Sequence, residues 1–548
     1  MFALNEVQRI CIQNDYLTGK SGDSMSYAQD VASFFLPRKA WITSIRFEGE
    51  RIKDGFLYDV RAIRALKKSC AGFYSHLTNP SSRWMEVITQ DSKLMQSGAN
   101  QRYFRECSNI QYDVMNGSNF ANSIIEGFME CLAFGTANML TLEDEQDEVR
   151  YTNIPYEQSN YEEDSRGRVC TVYRNFRFTA LQCWDMWGER CSKEIKDAMR
   201  DHKYHMTFDL LHFVGKRDVY NPYKKDKNNM PWRSIWIVKK EQHQLEEGGF
   251  LENPYAVWRF WKDSNDVRGF SPCMDVLAAA KLVNGEKRTF LRMTMKKADP
   301  AMMMPNRGWL NKPNFNPSAM NYYDAKHTNP DALKAIENRG DAQVSIEALQ
   351  MEQTEIDAGL FIPQFESISN ITKHMTIPEV QQRISENMYQ LSPVIGIALN
   401  EYLDPINLRT FSLLDRRGIF PDPPATLKGM SYKDLSIKYL SPLAKAQRQS
   451  EMIGLNAFMQ VAAEMINFIP TVKDLINGDW LTKHIAEVQG VDPRVFYDDD
   501  YVKKVRQQNA KIQMAAQKAA IAEQATKAGH NAAQAGKASK EAEMVGAK

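Results

Sequence analysis

Between residues 376 and 418 apolar side chains return at every third or fourth position. Ile377, Val380, Ile384, Met388, Leu391, Ile395, Ala398, Tyr402 and Ile406 form one stripe, which predicts a long amphipathic helix with one buried face. Thr376 and Glu379 stand ahead of it as a capping box. Pro393 and Pro405 lie inside the stripe, where each removes an intrahelical hydrogen bond and kinks the rod, and Gly418 and Pro421 end it. The pattern is that of a bent strut, not of a catalytic motif.

Elsewhere the periodicity changes several times. Residues 27–140 read mainly helical, with a loop at Pro80-Ser81-Ser82-Arg83-Trp84. Residues 141–265 alternate strand-like runs (169–178, 234–238, 255–260) with turns such as Asn221-Pro222 and Gly248-Gly249. Ser271 then caps a helix with Pro272 at its first position, and nothing breaks it before Asp299-Pro300; such a helix is about 40 Å long. Residues 304–349 are rich in Asn, Pro and Asp and read as a loop-rich module. Apolar periodicity resumes over 346–361, and a polar loop from Pro363 to His374 leads into the kinked helix. At the C-terminus, Ala, Lys and Gln make residues 503–527 helical, with fraying expected beyond Gly529 and Gly536. The chemistry leaves this segment open between a helical barrel and a disordered tail.

Composition narrows the class. A chain of 548 residues, 43% hydrophobic and 25% charged, has room for two to four globular domains. The net charge of +1 hides an asymmetry: residues 501–548 carry nine Lys or Arg against three Glu, which leaves the rest near −5. Contact with nucleic acid must therefore be local. The eight cysteines form no C-x-x-C pair and read as reduced thiols. The first residues carry charges where a signal peptide needs an apolar run, and no stretch approaches eighteen uninterrupted apolar residues; the expectation is a protein neither secreted nor membrane-spanning.

Several groupings invite an enzymatic reading, and each lacks a part. Gly19-Lys20-Ser21 resembles the end of a phosphate-binding loop, but Asn14 stands where the first glycine belongs. Cys183, Cys191, His202, His205 and His212 cluster in sequence without the paired spacing that brings four ligands to zinc. The acidic runs at 143–145 and 498–500 suit a divalent cation, but read rather as a solvated loop and a helix start. No metal site, cofactor or catalytic group is assigned. An active site assembled from distant residues leaves no such mark, so a cytosolic nucleic-acid-processing enzyme stays open as an alternative. On the helix from Ser271, Lys281, Arg288, Arg292 and Lys296 share one face, joined nearby by Lys287 and Lys297. They suit DNA phosphates, a solvated outer surface, or salt bridges to a neighbouring subunit.

One ordered set of positions points to a family. Glu379-Val380, Arg383, Glu386, Leu391, Pro393, Val394, Glu401, Pro405, Arg409, Gly418, Pro421 and Pro424 are followed by Ser441-Pro442-Leu443-Ala444 and Gln447-Arg448. Upstream come Leu77-Thr78-Asn79-Pro80 with Arg83-Trp84, then Ser118-Asn119-Phe120 and Phe134-Gly135-Thr136. Between the two groups stand Arg268-Gly269-Phe270-Ser271-Pro272, Asn284 and Asp299-Pro300. In order and spacing these resemble the head-to-tail connector (portal) proteins of short-tailed bacteriophages.

The resemblance implies an α+β, mainly α, portal fold in a ring of about twelve subunits around a channel for double-stranded DNA. Its domains would be a wing (1–270 and 376–440), stem helices (271–303 and 349–362), a clip (304–348) and a tunnel loop (363–375). A crown (441–502) and a C-terminal barrel or tail (503–548) would complete it. It implies Lys373 and His374 facing DNA, and Trp309, Tyr322 and Tyr323 anchoring clip interfaces. The expected role is packaging and ejection of DNA without sequence specificity. The expected partners are a terminase motor, a tail adaptor, and the major capsid and scaffolding proteins. The location would be the portal vertex of a virion assembled in the host cytoplasm. A non-portal virion scaffold protein is the remaining alternative.

Overall fold

Helix Phe120–Phe134 is apolar nearly all round, and its Ile124, Phe128, Cys131, Leu132 and Phe134 are buried accordingly. Around it pack helices Gly22–Phe35 and Arg61–Leu77, the latter burying Ala62, Ala65, Leu66, Cys70, Phe73 and Leu77 at helical spacing. Each large side chain so enclosed contributes about 1.5–3 kcal/mol. In this computed structural model the described residues are 5–44, 55–298 without 81, 82, 92, 222, 223 and 225, 342–369, 390–427, 434–440 and 499–545. Single positions or short stretches within 302–335, 429 and 454–497 complete them. The chain divides into two compact units. One comprises Met1–Gln90, Arg105–Asp422 and Met430–Gln447; the other comprises Asp91–Phe104, Pro423–Gly429 and Arg448–Lys548. Helix predominates over strand, in keeping with the α+β expectation.

Three strands fall in the runs that alternation marks, Val169–Thr179, Trp232–Val238 and Tyr255–Arg259, whereas Met85–Thr89 and the start of Thr136–Asp144 interrupt the stretch expected to be mainly helical. Ser159–Glu163, Val169–Thr179, Thr207–Lys216, Trp232–Val238 and His243–Phe250 form a five-stranded antiparallel meander in chain order. A three-stranded antiparallel sheet has Thr136–Asp144 at its centre, between Glu148–Ile154 and Tyr255–Arg259. Met85–Thr89 pairs with Leu435–Tyr439, closing the first unit across most of the chain.

The start expected at Ser271 is present: its hydroxyl accepts from the Met274 amide at 3.0 Å, with Pro272 in the first turn. The helix is not continuous, however. It stops at Asp275, Val276 adopts φ −97°, and a second helix runs Leu277–Ala298. Tyr27 explains the break, since its hydroxyl donates to the Met274 carbonyl at 3.2 Å, an acceptor that an unbroken helix needs for residue 278. Beyond Ala298, Met302–Met303 pairs antiparallel with Lys334–Ala335. Helix Ala342–Gly359 then packs against Leu277–Ala298, beginning earlier than the 346–361 periodicity indicates.

The polar loop expected from Pro363 is corrected in its first half, because Ile362–Ser369 is helical. Ile362 is buried, and Phe365 lies edge-on to Phe73 at 5.3 Å and stacks on His76 at 5.5 Å. Two apolar anchors three residues apart override the polar composition between them. The remainder of that loop, with Lys373, His374 and the Thr376–Glu379 capping box, lies outside the described residues, as do Trp309 and Tyr323.

From residue 390 the kinked helix is visible to Arg416. It passes Pro393 and widens to a π-helical turn at Leu399–Leu403, with Pro405 in the turn that follows. Proline has no N–H for the Glu401 carbonyl and its ring crowds that oxygen; one wide turn accommodates both. The end is as the pattern predicts: Gly418 takes φ +69°, and Ile419 donates to the Leu414 carbonyl at 3.2 Å.

In the second unit, helix Asp499–Val545 runs 47 residues, about 70 Å, without a break at Gly529 or Gly536. The expected fraying is thus corrected. Two glycines cost about 1 kcal/mol each against alanine, whereas the surrounding Ala, Lys, Gln and Glu are all strong helix formers.

Candidate functional site

Positions scattered along the chain meet in the first unit. Trp84 is stacked between Phe120 at 6.1 Å and Tyr439 at 6.2 Å. The Asn119 side chain clasps the Tyr151 backbone, accepting from its amide at 3.0 Å and donating to its carbonyl at 2.6 Å. Gly135 ends its helix at φ +80°, and a Cβ there would strike the Gly269 carbonyl, so both must be glycine. Arg268 is buried over the Tyr156 ring at 4.4 Å and donates to the Ser159 carbonyl at 2.6 Å. Asn284 accepts from the Tyr58 amide at 2.7 Å and donates to the Phe56 carbonyl at 3.0 Å. These are the positions that carry the family resemblance; the structure shows them as packing and backbone-tying groups.

The wide turn meets a buried charge cluster. Arg259, only 2% exposed, donates through its backbone amide and Nε to Glu401 Oε2 at 3.2 and 3.1 Å. Its remaining nitrogens reach Glu401 Oε1 and Glu163, and Lys262 lies 2.7 Å from Glu163. Burial works against the Arg259 charge, but the two carboxylates outweigh it and raise its pKa. Farther along, Arg409 donates to the Thr141 carbonyl at 2.8 Å and to Glu252 at 3.2 Å. Burial lowers its pKa to about 10 despite Glu252. Arg416 and Ser412 close on the same carboxylate at 2.7 and 2.6 Å. Sequence reasoning singled out Glu401 and Arg409 but missed Arg259, Glu163 and Glu252. The available signal was an arginine inside the otherwise apolar run at 255–260.

The basic face of helix Leu277–Ala298 is exposed along its length, but its members differ. Lys281 pairs with Asp30 at 2.8 Å beside Phe34, and Arg288 lies 5.6 Å from the Tyr58 ring centroid. Both are thereby engaged with the body of the same chain. Arg292 and Lys296, farther out, are exposed, as is Lys297. Of the aromatic interface candidates, Tyr322 is described and is 63% exposed.

The enzymatic groupings resolve into structure. Gly19-Lys20 ends helix Glu6–Lys20, and Asn14 is buried against Asn175 and Asn160. Cys183 and Cys191 are buried, the latter's thiol donating to the Cys183 carbonyl at 3.3 Å. His212 is enclosed by Tyr255 at 2.7 Å, Ser234 at 2.9 Å and the stacked ring of Trp236 at 3.8 Å. Burial, aided by Arg174, holds it well below the usual histidine pKa, so it is neutral. Asp144 accepts from the turn amides of Gln146 and Asp147. Among the described residues no group of three or more His, Cys, Asp or Glu converges on a metal position, and no helix is long and apolar enough to cross a membrane.

Residues 14–496 match the family model described as bacteriophage head to tail connecting protein. The chain is 26% identical over 505 residues to the "Probable portal protein" of Bordetella phage BPP-1, covering 91% of this chain and 90% of that one. It is 25% identical over 530 residues to the "Portal protein" of Salmonella phage epsilon15, covering 95% and 94%. With the match spanning nearly the whole sequence, the chain belongs to the bacteriophage head to tail connecting proteins.

Proposed function

We propose that this head-tail connector acts as a portal subunit. It closes head to tail into a ring of about twelve, through which a separate terminase motor drives double-stranded DNA and to which a tail adaptor later docks. The family match over residues 14–496 carries the reading; the two portal relatives, aligned over nine-tenths or more of their own length, support it. A heterologous interface closes when its rotation divides the circle, which suits a subunit with one invariant role at a capsid vertex, beside the major capsid and scaffolding proteins. Catalysis belongs to the motor.

In this reading residues 1–270 and 376–440 are wing, 271–303 and 349–362 are the stem helices, and 304–348 are the clip. Of the tunnel loop expected at 363–375, the part that follows the packed helix Ile362–Ser369 lines the channel, 441–502 form the crown, and 503–548 continue it inside the capsid. On helix Leu277–Ala298, engagement of Lys281 and Arg288 with their own subunit favours Arg292 and Lys296, with Lys297 beside them, as the cations that meet DNA or a neighbour; Lys373 and His374 join them as the cations of the channel loop. Contacts to phosphate alone leave DNA free to slide.

Ring symmetry repeats Lys373 around the channel, so Lys373→Glu is expected to assemble normally yet alter packaging into proheads in a salt-dependent way. A substitution silent at both low and high salt would remove Lys373 from the channel.

A further inference from the structure

The wide turn presents two consecutive polar residues inward. Glu401 meets Arg259, as described, and Tyr402 is fully buried with its hydroxyl directly over Gly127. A methyl group at Gly127 would collide with that hydroxyl and would lie 3.4 Å from Asn153 Oδ1, so hydroxyl and amide are close neighbours above the same helix face. Glu130, one turn along that face and 1% exposed, uses Oε1 to bind Lys39 at 2.7 Å. The buried Tyr402 hydroxyl has no protein partner, and neither end of the Asn153 amide nor Glu130 Oε2 makes a close, well-aligned hydrogen bond. Asn153 is nevertheless within reach of a side-chain hydrogen bond to the Glu130 carboxylate, so the two form a loose pair beside the unpartnered hydroxyl.

Unpaired buried polar atoms are rare because each forfeits its hydration. Convergence of several, beside a residue that must be glycine, is the arrangement that encloses ordered water, which needs two to four polar neighbours. We propose that Gly127, Glu130, Asn153 and Tyr402 enclose an internal water-binding site. In it, ordered water bridges the Tyr402 hydroxyl to the Asn153–Glu130 pair. The site thereby holds the turn 399–403 in its wide register. Arg259 clamps the turn from one side by charge; the hydrated site clamps it from the other by hydrogen bonds. Glycine at 127 provides the room for the hydroxyl.

The sign of one conservative substitution tests this in the full-length protein. If water satisfies the hydroxyl, Tyr402→Phe breaks a network, lowers the thermal midpoint by a degree or more, and speeds amide exchange in peptides from 399–416 while leaving helix 499–545 unchanged. If the hydroxyl is simply unsatisfied, removing it leaves the midpoint unchanged or higher, which overturns the proposal. A density map of the assembled protein that resolves ordered waters gives the direct check: a peak within hydrogen-bonding distance of Tyr402 and Asn153 is expected, and its absence also overturns the proposal.

Discussion

Two helices of this protein hold their shape for opposite reasons. The one running through residues 390–416 contains two prolines, a wide turn and buried Asn407, Arg409 and Thr410, all unfavourable for an isolated helix. Packing and charge hold it in place. Helix Asp499–Val545 has Ile512, Met514 and Ile521 more than 60% exposed, and almost every described side chain along it faces solvent. Local propensity holds it. The first conformation is a property of the whole unit, and the second is a property of its own residues. Damage to the former should therefore be large and cooperative, and damage to the latter small and local.

The sharpest way to break that contrast is Glu401→Ala. It strips the buried Arg259 of one of its two carboxylates and unlatches the wide turn, at an expected cost of about 3 kcal/mol; Glu163 still offsets part of the charge. Thermal unfolding of purified protein should show the loss, and an unchanged midpoint would mean the latch is not what holds the turn. Gly135→Ala comes next. Its left-handed backbone and the carbonyl of Gly269 leave no space for a methyl, so about 2–3 kcal/mol should be lost, with soluble yield and midpoint both falling.

The core against which the first helix packs is also sensitive to acidity. Burial raises the Glu130 pKa to about 7 against its ordinary 4.5, despite Lys39. Glu157, Tyr161, Tyr402 and Cys131 also face Glu130 electrostatically, and Glu126 faces Lys39. Between those two values the folded state keeps a proton that the unfolded state releases. This group's contribution to stability is therefore full below pH 4.5 and declines as pH rises toward 7. Glu130→Gln should flatten that part of the stability profile, as read by denaturant titration at pH 5 and pH 7. The smallest effect is expected from Gly529→Ala with Gly536→Ala: about 1 kcal/mol of helix stability per site, seen as slower amide exchange in 525–540 with no change in the core.

This contrast also sets what was legible beforehand. The C-terminal helix, the strands at 169–179 and 232–238, and the stop at Gly418 follow local rules, and the residue pattern marks them. The break at Val276 depends on the hydroxyl of Tyr27, some 250 positions away, and the helix at 362–369 depends on Phe73 and His76. No periodicity reports such partners. Pro405 announced a distortion but not its form, because the wide turn answers to Arg259. The overrun past Gly529 is a different kind of miss, in which summed propensity outweighed two unfavourable residues. Family positions such as Asn119, Arg268 and Asn284 were visible as a signature, but the backbone segments they tie together are brought side by side only by the fold.

Single-particle electron microscopy of the purified full-length protein tests the central claim most directly. A portal subunit should give closed rings of about twelve copies with an axial hole wide enough for duplex DNA. Compact single subunits that turn over nucleotide and never form a ring would contradict it.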